Sequence, residues 1–297
     1  MTGSMRQRFV EEFPALLQDH EDVVLVLADL SAKLFSDTAN AFPERVINVG
    51  IREQLMIDLA GGLALGGLRP VVHTFAPFLI ERPFEQIKIS LNHQGVGAVL
   101  VSAGASFDIA GGGRTHQAPG DVALINTLPG WTVWVPGHPD EAADALRIAI
   151  ADDGLHYVRL SNLSNSAGVV SAGDVTLVRS GTGPVIVAVG PVLEGVLTAA
   201  GASDATVIYT MRARPIDPRA IAEIIGPTNN EVILVEPMLA GTTSLELRKA
   251  IAHDIRLLEI GVSREELHAY GSSSQHLAAH GLDAASIERR IEKFLEG

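Results

Sequence analysis

The sequence predicts an α/β protein made of two consecutive domains, each with a parallel sheet covered by helices. Three observations lead to this fold class. Short apolar runs such as Val23–Leu27 show no polar alternation, which is typical of strands buried on both faces. These runs alternate with helical stretches, and that order favours parallel sheets. The length of 297 residues and the apolar content of 47% are enough for two cores.

We expect the first domain to cover residues 1–165, a linker to cover 166–174, and the second domain to cover 175–297. The linker assignment depends on the stretch NLSNSAGVVSAG from Asn162, which is small, polar and without a period. Predicted strands are apolar runs, and predicted helices have apolar residues three or four positions apart. In the first domain these are helix Ser4–Asp19, strands Val23–Leu27 and Val46–Val49, a helix containing Glu53, strand Pro70–Thr74, mixed loop and helix over 75–94, strand Val96–Val101, helix Asp121–Leu128, strand Trp131–Val135, helix Asp140–Ala151 and strand Tyr157–Leu160. In the second domain they are Val185–Val189, Leu193–Ala200, Thr206–Tyr209, Asp217–Ile225, Val232–Val235, Thr243–His253, Leu257–Ile260 and Asp283–Leu295, strand and helix in turn up to the closing helix.

Composition excludes several classes of function. The formal charge of −13 makes the chain a poor binder of nucleic acid or of an anionic membrane. The absence of cysteine excludes thiolate nucleophiles, disulfides and cysteine zinc sites. No uncharged apolar run reaches the ~18 residues of a membrane span, and the acidic start argues against a secretory signal. We therefore expect a cytoplasmic location, with no nucleic acid and no membrane among its partners.

The stretch VINVGIREQ predicts a strand, a turn at Gly50 and a helix whose first turn contains Glu53. Leu55, Leu59 and Leu63, with Met56 beside them, recur at helical spacing and predict the buried face of that helix. The following glycine pairs predict close approach of another backbone. Glu53 itself has two interpretations: a solvated carboxylate that complements the helix dipole, or a functional group.

The loop GGGRTHQ, Gly111–Gln117, combines glycines with a cation, a hydroxyl and an imidazole. His116 has the chemistry of a general acid or base, although a hydrogen-bonded loop histidine is an equally good interpretation. The glycine spacing does not fit a dinucleotide fingerprint, and there is no Walker-type phosphate loop. Gly50, Thr74, the longer loop Gly104–Gln117 and Ser161 all follow predicted strands, so we expect them at one edge of the sheet.

Four further side chains and one histidine pair have alternative interpretations. Phe75 and Phe78 are either core residues or an aromatic wall for a flat heterocycle. Arg82 and Arg159 either bind an anion or form surface salt bridges. His276 and His280 have the spacing of a metal pair, but no third ligand is evident nearby. We therefore interpret these two histidines as residues of a surface helix and predict no metal site on this chain.

Several motifs in order resemble a known family. VINVGIREQ, HTFAPFLIERPFEQI, GGGRTHQ and a strand ending in RLS resemble the pyrimidine-binding domain of thiamine-diphosphate enzymes of the transketolase group. YTMRARPI, EVILVEP and HGLDAASIERRIEKFL are similar to the C-terminal domain of 1-deoxy-D-xylulose-5-phosphate synthases. The resemblance extends from about Val23 to the last residue. It implies a transketolase-like transferase that moves a two-carbon ketol or acyl unit.

The resemblance implies roles for individual residues. Glu53 would hydrogen-bond N1′ of the thiamine diphosphate aminopyrimidine, which promotes loss of the proton from thiazolium C2. Phe75 or Phe78 would stack on the pyrimidine, and His116 would face the reacting carbon. Arg82 matches an arginine that binds substrate phosphate. With the cofactor supplying the carbanion chemistry, the protein would orient and polarise it.

A feature that the resemblance leads one to expect is missing. These families hold the diphosphate and its Mg²⁺ on a separate domain with a GDG…N motif, and this sequence contains no GDG. We therefore expect a split enzyme that is active only with a partner, an N-terminal-type subunit that carries the diphosphate site and holds most of the Mg²⁺ ligands. The expected assembly is a heterotetramer with two copies of each chain.

Departures from the family pattern concern the substrate. Gly104 and Gly112 stand where a histidine and an aspartate are usual, and Asn162 stands where an arginine is usual. Arg114, where proline or glutamine is usual, would restore an anion contact. We expect substrate binding to involve Arg82, Arg114, His116, Arg159 and Asn162, with a ketose or 2-oxo acid donor and an aldehyde-type acceptor, altered from those of transketolases.

Two other functions remain open from the sequence. The β subunit of a 2-oxo acid dehydrogenase decarboxylating component has the same two domains. A non-catalytic scaffold subunit could also keep this fold. THQ after a glycine-rich loop favours the transketolase-like subunit over the dehydrogenase, and the presence of both Glu53 and His116 argues against a scaffold.

Overall fold

The computed structural model describes residues 3–169, 175–201, 203–226, 229–251 and 253–297. Its strands, in chain order, are β1 Val23–Leu27, β2 Val46–Asn48, β3 Arg69–Phe75, β4 Ala98–Ala103, β5 Trp131–Trp134, β6 Leu155–Arg159, β7 Thr176–Arg179, β8 Val185–Val189, β9 Thr206–Thr210, β10 Arg212–Arg214, β11 Glu231–Leu239 and β12 Arg256–Val262. Its α-helices are α1 Met5–Asp19, α2 Ser36–Ala41, α3 Glu53–Leu65, α4 Phe84–Gln86, α5 Asp121–Ile125, α6 Pro139–Ala151, α7 Leu193–Ala200, α8 Pro218–Ile225, α9 Ser244–Ala250, α10 Ser273–Ala279 and α11 Ala284–Glu296. Two π-helical segments, Pro77–Glu81 and Ile87–His93, flank α4.

Within these residues the strands form two sheets, so the predicted α/β class is confirmed. The first sheet has the order β10-β5-β6-β4-β3-β1-β2, and all of its pairs are parallel except β10 with β5. The second has the order β12-β11-β8-β9-β7, with only β7 antiparallel to its neighbour. Central strands such as β1 and β8 are buried along their whole length. Helices on both faces cover them, as continuous apolar strands require.

The strand β10 is a feature that sequence reasoning missed. Arg212–Arg214 follows β9 of the second sheet directly, yet it pairs with Trp134 and Val133 at the edge of the first sheet. The backbone amide of Val135 also donates to the carbonyl of Met211 at 2.6 Å. The second half of the chain therefore completes the first sheet. The domain limits at 165 and 175 stay a prediction, and residues 170–174 of the expected linker lie outside the described residues.

Helix α3 has Glu53 in its first turn as predicted, and the predicted buried face is partly correct: Met56 is buried, and Leu59 and Leu63 are partly buried against the core. Leu55 is 47% exposed, and the residues that α3 buries are Glu53, Met56, Ile57, Ala60 and Gly61. This face is turned toward β3 and the π-helical segment Ile87–His93 because Gly61 allows close contact there. A Cβ at Gly61 would lie 2.4 Å from the carbonyl oxygen of Ser90. The expected close approach of a second backbone is thus confirmed at Gly61.

Candidate active site

A cleft of about 350 Å³ opens where β1, β2 and β3 end. Its lining comes from the segments that leave these strands: Ala28, Asp29, Leu30, Ser31, Ile51, Glu53, Thr74, Phe75 and Phe78. Parallel strands bring their carboxyl ends to one edge of the sheet, which is where ligands bind in such folds. Thr74 therefore lies at this edge as predicted, together with the start of α3.

Glu53 lies at the base of this cleft and is only 2% exposed, so its interpretation as a solvated surface residue is wrong. Its Oε1 accepts a hydrogen bond from Nη1 of Arg82 at 2.7 Å. Within the described parts of the chain, Oε2 makes no hydrogen bond. A buried carboxylate is costly unless its oxygens are paired, so Glu53 offers one acceptor to a donor that enters the cleft.

Phe75 and Phe78 form one wall of the cleft. Their rings are edge to face, with centroids 6.1 Å apart, and both side chains are partly exposed. The guanidinium of Arg82 lies over the Phe78 ring, with its Cζ 4.0 Å from the ring centroid. Of the two interpretations of these phenylalanines, the aromatic wall agrees with their position and the closed core does not.

His116 leans against the same two rings. Its ring centroid lies 5.1 Å from that of Phe78 and 6.1 Å from that of Phe75. Its Nδ1 and the Thr115 hydroxyl form a hydrogen bond of 3.0 Å. Within the described residues Nε2 makes no hydrogen bond, so this nitrogen can exchange a proton with a ligand. Carboxylate, aromatic wall and imidazole are thus brought together, although they come from distant parts of the sequence.

Gly112 and Gly104 shape this region through the side chains they lack. A Cβ at Gly112 would lie 2.8 Å from Cγ of His116. A Cβ at Gly104, whose φ is +72°, would lie 2.5 Å from Cδ1 of Ile109. Ile109 therefore fills the space that a histidine would need at position 104, and His116 fills the space that an aspartate would need at position 112.

Sequence reasoning missed the residues just after β1. Asp29 and Ser31 line the cleft, and both have positive φ, 65° and 61°. Strained backbone of this kind concentrates at functional sites. The Ser31 hydroxyl bonds Nε2 of His73 at 2.8 Å and accepts from Arg6 at 3.0 Å. Burial lowers the pKa of His73 to about 4, so this histidine is neutral at pH 7. The position of Asp29 and Ser31 just after a predicted strand is the sequence feature that could have indicated them.

Arg114, Arg159 and Asn162 do not line the Glu53 cleft. Arg114 donates to Glu266 at 2.8 Å, on the side of the loop that faces the second sheet. Asn162 is exposed, and its backbone amide donates to Asp108 at 2.8 Å. Arg159 and Asn162 line a second cavity, of about 250 Å³. Their expected part in substrate binding stays a prediction.

Arg159 belongs to a buried polar network and is not a surface salt bridge. Its Nε donates to Asp121 at 2.7 Å, and its Nη2 donates to the Ser106 hydroxyl at 2.6 Å. The Tyr157 hydroxyl donates to the same carboxylate oxygen of Asp121 at 2.7 Å. Burial raises the pKa of Tyr157, and the negative Asp121 raises it further. The phenol therefore stays protonated and keeps donating.

The surface interpretation of His276 and His280 is also wrong. His276 is 3% exposed and His280 is buried too. Both imidazoles stack on the ring of Phe107, which precedes the histidine of the GGGRTHQ loop by nine positions. Among the described residues no group of three or more potential ligands could hold a metal ion.

Comparison with known proteins identifies the family. The family described as "Transketolase, pyrimidine binding domain" matches residues 2–165. The chain belongs to this family. The match includes the Glu53 cleft, the aromatic wall and His116, so the predicted family is confirmed.

Similar proteins are known from several bacteria. An uncharacterized 33.6 kDa protein of the fasciation locus of Rhodococcoides fascians is 47% identical, over 94% of this chain and 91% of its own length. One subunit of the apulose-4-phosphate transketolase of Actinobacillus succinogenes is 28% identical, over 94% of both chains. The 1-deoxy-D-xylulose-5-phosphate synthase of Leptothrix cholodnii is 32% identical over 85% of this chain. That alignment spans only 42% of the synthase.

Two solved structures show the same fold. A split-gene transketolase, described as an inactive β4 tetramer, superposes with a TM-score of 0.84 at 27% identity and covers 100% of this chain and 99% of its own. The Campylobacter jejuni transketolase superposes with a TM-score of 0.79 at 19% identity, over 98% of this chain and 46% of its own. Among the described residues, no helix has both the length and the apolar character to cross a membrane.

Proposed function

We propose that this chain is one subunit of a thiamine-diphosphate-dependent, transketolase-like enzyme that transfers a two-carbon unit. The observation that carries the proposal is the burial of Glu53 beside Phe75 and Phe78. A carboxylate whose Oε2 is available in an aromatic cleft fits the ring nitrogen of a flat, protonatable heterocycle. An aminopyrimidine has this shape and chemistry, so the residues present fit the cofactor.

In this proposal each side chain of the cleft has a separate task. Glu53 shares one proton with the pyrimidine ring nitrogen, as donor when the carboxyl is protonated and as acceptor when the ring is, and Phe75 or Phe78 covers the ring face. Arg82 pairs with Glu53, and its partly exposed guanidinium is within reach of an anionic substrate group. His116 exchanges a proton through Nε2 or stabilises a developing negative charge. When bound, the cofactor supplies the carbon nucleophile that carries the transferred unit.

The proposal includes a partner chain. The sequence lacks the GDG motif, and the relative from Actinobacillus succinogenes is named as a subunit. The similar split-gene transketolase is described as inactive in a form made of β chains alone. We infer that a partner supplies the diphosphate site and Mg²⁺ in a complex with two copies of each chain, and that the substrates are a ketose or 2-oxo acid donor and an aldehyde-type acceptor.

The test is a Glu53→Gln exchange in the complex reconstituted with a chain that bears GDG and a downstream asparagine. We expect kcat to fall about 10²–10⁴-fold, the usual contribution of a proton-transfer group. Titration calorimetry with thiamine diphosphate checks that the cofactor still binds. The matched control is Asp58→Asn, because Asp58 is an exposed carboxylate on the same helix.

The same experiment separates the alternatives. A scaffold subunit would tolerate Glu53→Gln without loss, and full activity of this variant would contradict the catalytic proposal. Transfer to a lipoyl acceptor in place of an aldehyde would indicate a dehydrogenase β subunit. Turnover by the isolated chain would contradict the need for a partner.

A further inference from the structure

The loop that carries His116 is held by a segment from the far end of the chain. We define residues 104–117 as the histidine loop and residues 263–280 as the C-terminal brace. The hydroxyl of Ser273 donates to the carbonyl oxygen of Phe107 at 2.9 Å, so the brace contacts the backbone of the loop directly. The two segments are far apart in sequence, and their contact is a product of the folded chain alone.

The first contact between the brace and the loop is an aromatic stack. The Phe107 ring lies nearly parallel to His276, with centroids 4.5 Å apart and an interplanar angle of 10°. It lies in the same way against His280, at 4.8 Å and 11°. Offset stacking between flat rings fixes orientation as well as distance. This contact holds the loop at Phe107, before the turn that leads to His116.

The second contact between the brace and the loop lies closer to His116. A Cβ at Gly113 would lie 2.6 Å from Cε1 of Tyr270, so the loop backbone passes directly against that ring. Gly113 has a φ of +72°, which a side chain would strain. Next to it, Arg114 donates to Glu266 at 2.8 Å. Of the three positions before His116, Gly113 and Arg114 therefore contact the brace.

His276 connects the two contacts. The ring of His276 stacks on Phe107, and its Nε2 bonds the carbonyl oxygen of Tyr270 at 2.7 Å. A carbonyl oxygen only accepts, so Nε2 of His276 carries the hydrogen. The same imidazole therefore orients Phe107 through its face and Tyr270 through its edge. Neither a phenylalanine nor an aliphatic residue could do both.

We propose that His276 is a positioning residue that fixes His116 in the candidate active site through Phe107 and Tyr270. This inference rests on the proposed function for the role of His116. The two histidines do not form a metal site, because among the described residues no third potential ligand stands beside His276 and His280. The C-terminal half of the chain thereby takes part in ordering the catalytic loop.

The experiment compares four variants of the full chain. His276→Phe keeps a flat ring for the stack and loses the donor to Tyr270, whereas His276→Leu loses both. Tyr270→Ala removes a ring that is largely exposed, so its folding is not at risk. His268→Ala is the matched control, since His268 is an exposed histidine of the same brace.

The first readout is amide hydrogen exchange of residues 104–117 in the isolated chain, without cofactor. Loss of a local tether lets a segment open below the global unfolding free energy. We expect His276→Leu and Tyr270→Ala to speed exchange in the loop by about tenfold, His276→Phe to have a smaller effect and His268→Ala to have none. Unchanged loop exchange, or equal acceleration over the whole chain, would overturn the inference.

The second readout is kinetics of the reconstituted complex. Misplacement of a catalytic group by about 1 Å costs about 10²-fold in rate, so we expect kcat of His276→Leu to fall about 10- to 100-fold with little change in KM. A loosened loop with wild-type kcat would also overturn the inference. A fully active Glu53→Gln complex would instead contradict the proposed function and leave the exchange result standing.

Discussion

Two arginine–carboxylate pairs in the first half of the chain have the same N–O distance but differ in how far they are exposed to solvent. Arg82 with Glu53 and Arg159 with Asp121 are each joined by an N–O distance of 2.7 Å. The side chain of Arg82 is 39% exposed, whereas that of Arg159 is 1% exposed. Both carboxylates are buried, so the difference lies in the arginine and in what surrounds it.

The surroundings decide what each pair can do. Arg159 uses Nε for Asp121 and Nη2 for Ser106, and Tyr157 adds a further donor to the same carboxylate. Every partner is buried, so no member can move without leaving a polar group unpaired. Arg82 has a single bond to Glu53 and rests on the face of Phe78. The exposed part of its guanidinium has further donors for a ligand while Nη1 keeps its bond to the buried Glu53.

Exchange of Arg159 for lysine is the strongest test of this difference. An ammonium group cannot reach Asp121 and Ser106 in the forked geometry of a guanidinium. We expect Arg159→Lys to lower the free energy of unfolding by about 2–4 kcal/mol, measured by urea denaturation at one fixed protein concentration. Arg147→Lys is the control because Arg147 forms exposed pairs with Glu12 and Asp144. A loss at Arg159 no larger than that of the control would show that the network is not tightly coupled.

Exchange of Asp108 for asparagine tests the edge of the same network. Burial raises the pKa of Asp108 to about 6, while the Asn162 amide, Arg159 and the Ser161 hydroxyl lower it in part. A folded-state pKa above the unfolded value means that stability is greatest at low pH and falls as the pH rises from about 4 through about 6. Because two pKa units correspond to about 2.7 kcal/mol, we expect Asp108→Asn to be more stable than the wild type by up to about 2.7 kcal/mol at pH 8.

The difference between Asp108→Asn and the wild type should shrink as the pH falls through about 4, because Asp108 then becomes neutral in the unfolded chain as well. Thermal unfolding at several pH values measures it. The asparagine carbonyl can still accept from the Asn162 amide, and its amide group can donate to the Ser161 hydroxyl, which donates to Asp108 in the wild type. A stability difference that does not change with pH would contradict the assigned pKa.

Exchange of Arg82 for lysine should have the smallest effect on stability. A lysine ammonium can replace the single donor to Glu53, and the lost contact with Phe78 lies at a wet surface. We expect the free energy of unfolding to change by less than about 1 kcal/mol. The measurement is the same urea titration as for Arg159→Lys, so the two substitutions are directly comparable. If Arg82→Lys lowered the free energy of unfolding as much as Arg159→Lys does, the Arg82–Glu53 pair would be as tightly coupled to its surroundings as the Arg159 network.

Much of the fold followed from the sequence because buried parallel strands are recognisable as continuous apolar runs. Val23–Leu27 and Val185–Val189 were predicted with the bounds that the structure has. Arg212–Arg214 was missed, since three residues of mixed polarity have no period and their partner lies in the other sheet. The buried face of α3 was predicted only in part, because leucine spacing indicates an apolar stripe but not which elements cover it, and Leu55 is 47% exposed.

For the candidate site, the sequence predicted some residues well and the surroundings of others not at all. Glu53, Phe75, Phe78, Arg82 and His116 were grouped through the order of family motifs. In the structure Glu53, Phe75 and Phe78 line the cleft, and Arg82 and His116 lie against Phe78. The surroundings of Arg159 were not predictable, since its partner Asp121 is 38 positions away in sequence. The stacking of His276 on Phe107 joins residues even further apart, and no local pattern announces it.

The strand β10 has a consequence for how the chain is made. During synthesis the residues up to Arg159 leave the ribosome first, and they contain every other strand of the first sheet. Trp131–Trp134 then stands at an open edge until Arg212–Arg214 has emerged. An uncovered edge of this kind is a template for pairing with another nascent chain. An early truncation product would therefore be more prone to aggregate than the full-length polypeptide.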